Sequence, residues 1–419
     1  GNTTGLNAGV STFTADITVN SVTVGKGANS VASNTVLGAG ALDANTTGNF
    51  NTAVGKDALT SNTTAEYNTA VGRQALYNNT TGGNNTAVGP NALVGNTTGD
   101  NNAAFGRNAL TANTTADNNS AFGHQALGNN TTGTRNTALG ALALDASTTT
   151  NDNTAIGYAA LTANTSQNNT AVGRSALAAS TTGNNNTAVG RLAMGSADVT
   201  GTNNVAMGYQ ALYADTTGVD NIAIGGNAMV ANTTGAYNVA IGKQALQTST
   251  TVNANTAVGY RALMTSAANI NVAVGFDAMA NSSTATNSVA IGGYALTTNT
   301  TGNQNVAIGY AAGRLNTTGS ANCSVGYQAL RANTTADNNT AMGFQALLAN
   351  TTGTQNVAVG ALALDANTDQ SNNTAIGYAA LSANTGGTRL VAVGMNALVQ
   401  NTTGNNNVAV GNNALDANT

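Results

Sequence analysis

Asn68-Thr69-Ala70-Val71-Gly72-Arg73-Gln74-Ala75-Leu76-Tyr77-Asn78-Asn79-Thr80-Thr81-Gly82 holds a β-prone triplet, a glycine, a small apolar pair and a polar turn. The same order of residues returns along the whole chain. Its central glycines stand at 25, 38, 55, 72, 89, 106, 123, 140, 157, 173, 190, 208, 225, 242, 259, 275, 292, 309, 326, 343, 360, 377, 394 and 411. After a first interval of 13, every spacing is 16, 17 or 18, and most are 17. A repeat this short excludes helix-turn-helix units, which need over about thirty residues and tolerate so much Gly and Thr poorly.

With each glycine as position zero, the columns carry the fold. Position +3 is alanine in all twenty-four units, and position −2 is alanine in all but Thr23, Val36 and Ser324. Position +4 is Leu or Met except at Asn29 and Gly313, position −1 is apolar throughout, and position −4 is asparagine in twenty-one units. Alternation in the strand puts −3 and −1 on one face and the small −2 alanine on the other. One such unit buries nothing alone. Stacked units do, with each Val and Leu over its equivalent and hydrogen bonds running along the stack. The columns therefore predict an all-β, parallel β-solenoid of about 24 coils with about 17 residues each. Residues 1–24 read as a divergent lead-in and 25–419 as a continuous repeat array. Alanine at both −2 and +3 predicts that at least one small-residue column faces a neighbouring chain. Asparagine at −4 reads as an amide ladder. The Asn-Thr-Thr turns match glycosylation sequons, although turn chemistry explains them as well.

Composition narrows the classes. Of 419 residues only 7% are charged, with 50 glycines, one proline, one cysteine, one histidine and no tryptophan. A single cysteine excludes a disulfide-built module, and scarce proline excludes collagen. No run approaches the roughly 20 apolar residues of a membrane-spanning helix. The net charge of −4 leaves no basic footprint for nucleic acid. The chain opens on Gly1 without a signal segment, and no polar cap is visible at either end. Both points suit a segment of a longer fibre, or a fibre built end to end. Residues 111–165 and 331–385 are near copies offset by 220, which points to growth by block duplication.

Asn287-Ser288-Val289-Ala290-Ile291-Gly292 and Asn238-Val239-Ala240-Ile241-Gly242 resemble the head repeats of YadA-type trimeric autotransporter adhesins. Closely similar repeats occur in bacteriophage tail-fibre-like proteins, and the stretch from Ile17 to Gly38 looks like the start of such a fibre. The resemblance covers residues 17–419 and lies in the repetition. It implies a left-handed β-roll assembled as a homotrimer, extracellular, on a bacterial surface or a virion tail. It also implies adhesive work on a surface glycan or host receptor, or a shaft in a receptor-binding tail fibre.

Catalysis finds no footing in the sequence. His124 is the lone histidine, and no Ser-His-acid set can be built around it. Cys323 at −3 reads as a half-buried strand residue, and Asp145 and Asp365 read as solvated loop residues. No cofactor, no metal site and no membrane insertion are expected. One column stands out. Position +1 holds Lys26, Lys56, Arg73, Arg107, Arg174, Arg191 and Lys243, then Tyr158, Tyr209, Tyr260, Phe276, Tyr310, Tyr327, Phe344 and Tyr378. The arginines and rings of this row are the candidate ligand-binding stripe, suited to glycans by ring stacking and guanidinium contacts. Self-stacking of the rings is the alternative. The paired threonines at +8 and +9 raise a remote reading as an ice-binding solenoid.

Overall fold

The computed structural model describes residues 15–196 and 198–418; residues 1–14 of the lead-in lie outside them. The coils group into two compact units, one up to Asn185 and one from Asn186 onward. No α-helix occurs among the described residues.

The first unit starts with an antiparallel hairpin, Ile17–Val19 (β1) and Val22–Gly25 (β2), in which Ile17 pairs with Val24. The second arm also pairs antiparallel with Thr35–Gly38 (β3), Val24 opposite Leu37. From there each coil contributes one strand, from Thr52–Val54 (β4) to Thr170–Val172 (β11), all parallel and in register. The second unit repeats the pattern from Thr187–Val189 (β12) to Val408–Val410 (β25). Like pairs with like: Thr69 with Thr86, Ala70 with Ala87, Val71 with Val88. Each unit is thus a parallel β-solenoid. The Gly25 repeat does not form a coil; the parallel stack begins at Thr35, not at residue 25. The hairpin covers the outer edge of β3, where the sequence had shown no cap. Asp16 fastens it by accepting the Lys26 and Gly27 amide hydrogens, both at 2.7 Å.

The wall opposite the strand is not β. In the coil of Gly72, Gln74, Leu76 and Asn84 have φ of 59°, 53° and 57°. The left-handed region costs an L-residue roughly 1–2 kcal/mol. Burial of a leucine is worth about 1.5–3 kcal/mol, and Leu76 is wholly buried. The distorted backbone still bonds along the stack, Leu59 N–H to Ala75 O and Leu76 N–H to Ala92 O, each at 3.0 Å. Gly72 itself has φ 139°, and a methyl there would stand 2.6 Å from the Gly89 carbonyl carbon. Only glycine fits at this corner.

The interior differs from the expectation. Ala70, Ala75 and Leu76, the −2, +3 and +4 columns, are all fully buried within the one chain. Neither alanine column faces a neighbour: the two walls approach so closely that only small side chains fill the space between them. The −1 side chains point outward, with Ile241 38%, Ile291 39% and Ile376 41% exposed. Beside the core run two amide ladders. At +7, Asn79 Nδ2 donates to Asn62 Oδ1 at 3.0 Å and to Gly82 O at 2.9 Å. At −4, Asn85 N–H donates to Asn68 Oδ1 at 2.9 Å while its Nδ2 reaches Gly99 O at 2.8 Å. Asparagine thus forms a ladder at +7 as well as at −4, and among the described residues the Asn-Thr-Thr sequons carry a buried amide, out of reach of modification in the folded chain.

Candidate binding surface

Position +1 directly follows the corner glycine, so its side chains project from the edge between the two walls. Arg73, Arg107, Tyr158 and Arg174 in the first unit are exposed. So are Arg191, Tyr209, Tyr260, Phe276, Tyr310, Tyr327, Phe344 and Tyr378 in the second. In-register stacking brings the rings of consecutive coils together. Tyr260 and Phe276 lie 5.2 Å apart and 24° from parallel. Tyr310 and Tyr327 are at 5.5 Å and 13°, and Tyr327 and Phe344 at 5.4 Å and 9°.

The gap between Phe276 and Tyr310, where +1 is Gly293, is closed by Tyr294 from the +2 position. It meets Phe276 at 5.3 Å and 66°, and Tyr310 at 5.8 Å and 87°. Column reading missed this ring because it sits one place over; the glycine beside it was the available signal. A continuous row from Tyr260 to Phe344 results. Arg261 lies 5.5 Å from the Tyr260 ring and Arg314 5.1 Å from that of Tyr294. Arg191 covers Tyr209 at 5.7 Å.

Tyr260 and Phe276, and Tyr310, Tyr327 and Phe344, turn their faces to one another, so a sugar has no room to stack between them, whereas Tyr294 meets both of its neighbours edge-on. Edges and hydroxyls face solvent. Tyr158 and Tyr378 have no ring partner among the described residues. Arg73, Arg107 and Arg174 form no ion pair among the described residues and project separately.

The remaining candidates fall elsewhere. Cys323 is half-buried in its strand. Asp145 and Asp365 are not solvated as expected: both are half-buried, and desolvation raises each carboxyl above its usual range. Among the described residues no three His, Cys, Asp or Glu side chains gather into a metal-holding group. No helix among them is long and apolar enough to cross a membrane. The Thr row at +8 donates its hydroxyls to the chain itself, Thr80 Oγ1 to Thr97 O at 2.9 Å and Thr97 Oγ1 to Thr114 O at 3.0 Å.

Sequence reading overlooked Asp215, the one acid in the +7 ladder. It is wholly buried, accepts Asn232 Nδ2 at 2.6 Å through Oδ1, and leaves Oδ2 buried without a partner. Comparison with protein-family models and with curated proteins returns no match.

Proposed function

We propose that the chain is a non-enzymatic, extracellular fibre segment whose copies associate as a homotrimer and present a repetitive adhesive surface. The observation that carries this reading is the outward face of the strand wall. Within each unit its −1 column sets Val, Ile, Leu, Met or Phe side by side on successive coils, including Ile291 and Ile308, 39% and 38% exposed, while the −3 column beside it is mainly Thr in the first unit and mainly Val in the second. Monomeric soluble proteins rarely leave contiguous apolar patches beyond a few hundred Å² uncovered. A column that repeats at strand spacing matches itself in another copy. The row at +1, on a different edge, stays open to a glycan or receptor through its ring edges, tyrosine hydroxyls and arginines. The same reading serves a bacterial surface fibre and the shaft of a phage tail fibre.

Sedimentation equilibrium on the purified chain tests the assembly. The mass of three chains is expected, and the double substitution Ile291→Lys with Ile308→Lys is expected to shift it to one. A parent chain that sediments as a single copy sinks the trimer. Retention of cells or immobilised glycans on chain-coated beads tests adhesion. Replacing Tyr310, Tyr327 and Phe344 together by alanine is expected to weaken that retention, and unchanged retention removes the +1 row from the binding surface.

A further inference from the structure

The coil from Gly157 to Gly173 is one residue shorter than its neighbours, and the shortening falls in the turn. Where others read Asn-Thr-Thr-Gly, this coil reads Asn164-Thr165-Ser166 and then Gln167. Ser166 has taken the glycine's place. Its carbonyl accepts Asn164 Nδ2 at 2.7 Å and Asn153 Nδ2 at 3.0 Å, as Gly82 O accepts Asn79 and Asn68. The missing residue is therefore the second threonine. Thr149 of the preceding coil and Thr182 of the following one keep theirs and flank the gap. A cavity of about 380 Å³ opens between them, within the range of about 300–1,000 Å³ usual for small-molecule sites.

The lining is polar and uncharged. Ser166 forms the floor, its hydroxyl engaged with Asn164 Oδ1, Gly183 O and Asn169 Nδ2, each at 2.8 Å. Asn184 Oδ1 accepts the Gln167 backbone amide hydrogen at 3.0 Å, which fixes the side chain and leaves its Nδ2 without a hydrogen-bond partner among the described residues. The side chains of Thr149, Thr182 and Gln167 likewise have no hydrogen-bond partner among the described residues. A held floor beneath a rim of open hydroxyls and amides, with no ionisable group in the lining, matches a small neutral ligand rich in hydroxyls. Shortening alone does not create this chemistry. The other short coil, Gly259 to Gly275, is flanked by Thr251 and Thr284 in the same way, but it carries Ala267-Ala268 in place of Thr165-Ser166 and has Val252 where the notch has Thr150, so its floor holds no hydroxyl.

We propose that this notch binds a neutral monosaccharide unit. The proposal rests on the adhesive reading above and gives it a ligand class. Saturation-transfer NMR on the whole chain with free glucose, galactose, mannose and N-acetylglucosamine is the test, followed by the same sugars displayed on beads to separate a free sugar from a surface glycan. Transfer to at least one sugar is expected. Inserting a threonine between Thr165 and Ser166 restores the common coil length and is expected to weaken binding at least about tenfold. The same insertion between Ala267 and Ala268 is expected to leave binding unchanged. Should the first insertion perturb the circular dichroism spectrum, Gln167→Ala with Asn184→Ala carries the test, with the same loss expected. Absence of transfer from all four sugars overturns the proposal, as does binding that survives the filled notch or the double substitution. A chain that adheres but binds none of these sugars keeps the adhesive reading and loses the notch. Sugar binding without adhesion has the opposite meaning.

Discussion

Asp215 stands in a column made mostly of neutral amides and hydroxyls, with buried Val199 on one side and Asn232 on the other, and it alone there carries a proton it can lose. Burial pushes its carboxyl up to about 7, against 3.8 for the ordinary group. Between those values the folded coil keeps a proton that the unfolded chain has released, so stability is full below about pH 4 and falls as pH rises to about 7. The whole effect is roughly 4 kcal/mol. Amide exchange at Thr216 and Thr233, corrected for intrinsic rates, is expected to show less protection at pH 8 than at pH 5. Asp215→Asn is expected to remove most of that difference, and a pH-independent parent would show the carboxyl to be better solvated than its burial implies. Gly72→Ala is the second residue-scale case. It forces a methyl against the Gly89 carbonyl and is expected to cost about 1–3 kcal/mol in local protection. Glycine at this corner was legible as a column, but the consequence of Asp215 was not. Asp and Asn have nearly the same shape, and only burial makes their chemistry diverge.

In a coil, the strand supplies alignment and the ladders supply polar satisfaction. Asn113 Nδ2 donates to Asn96 Oδ1 at 2.8 Å and to Ala116 O at 3.0 Å, while its own Oδ1 accepts Asn130 Nδ2 at 3.0 Å. Asn113→Ala leaves buried partners unmet and is expected to destabilise the adjoining coils by about 1–3 kcal/mol. Asn113→Ser is expected to cost less, because Ser180 and Ser249 already stand at +7 and bond Gly183 O and Ser266 O. Hydrogen exchange of the coils around Asn113 checks both, and equal losses would show that ladder occupancy matters more than its chemistry. The solenoid was readable from glycine spacing and alternation. Which face lies inside was not. Alternation defines two faces without ranking them, and a small alanine column suits a neighbouring chain as well as a narrow interior. The narrow gap between the walls admits Ala70. Tyr294 escaped for a related reason: a ring's reach, not its column, decides what it touches.

For the molecule as a whole, the contacts between described coils are mainly those of nearest neighbours, so stability grows approximately by addition. Removing residues 73–89, one full repeat, brings equivalent columns back into contact. The shortened chain is expected to keep its circular dichroism spectrum, whereas removing residues 73–80 sets unlike columns over one another and is expected to disrupt it. A spectrum equally preserved in both would deny that register matters. Length in this chain counts coils rather than domains. That regularity carries a hazard. Slide one part of the stack by a full repeat and nearly every partner is replaced by its equal, so the array holds little information about its own address. The hairpin from Ile17 to Gly25 is different: it pairs antiparallel with Thr35–Gly38, and Asp16 accepts from only Lys26 and Gly27. It serves as the origin of a ruler whose other marks are nearly indistinguishable, the one place where the stack has a distinct address.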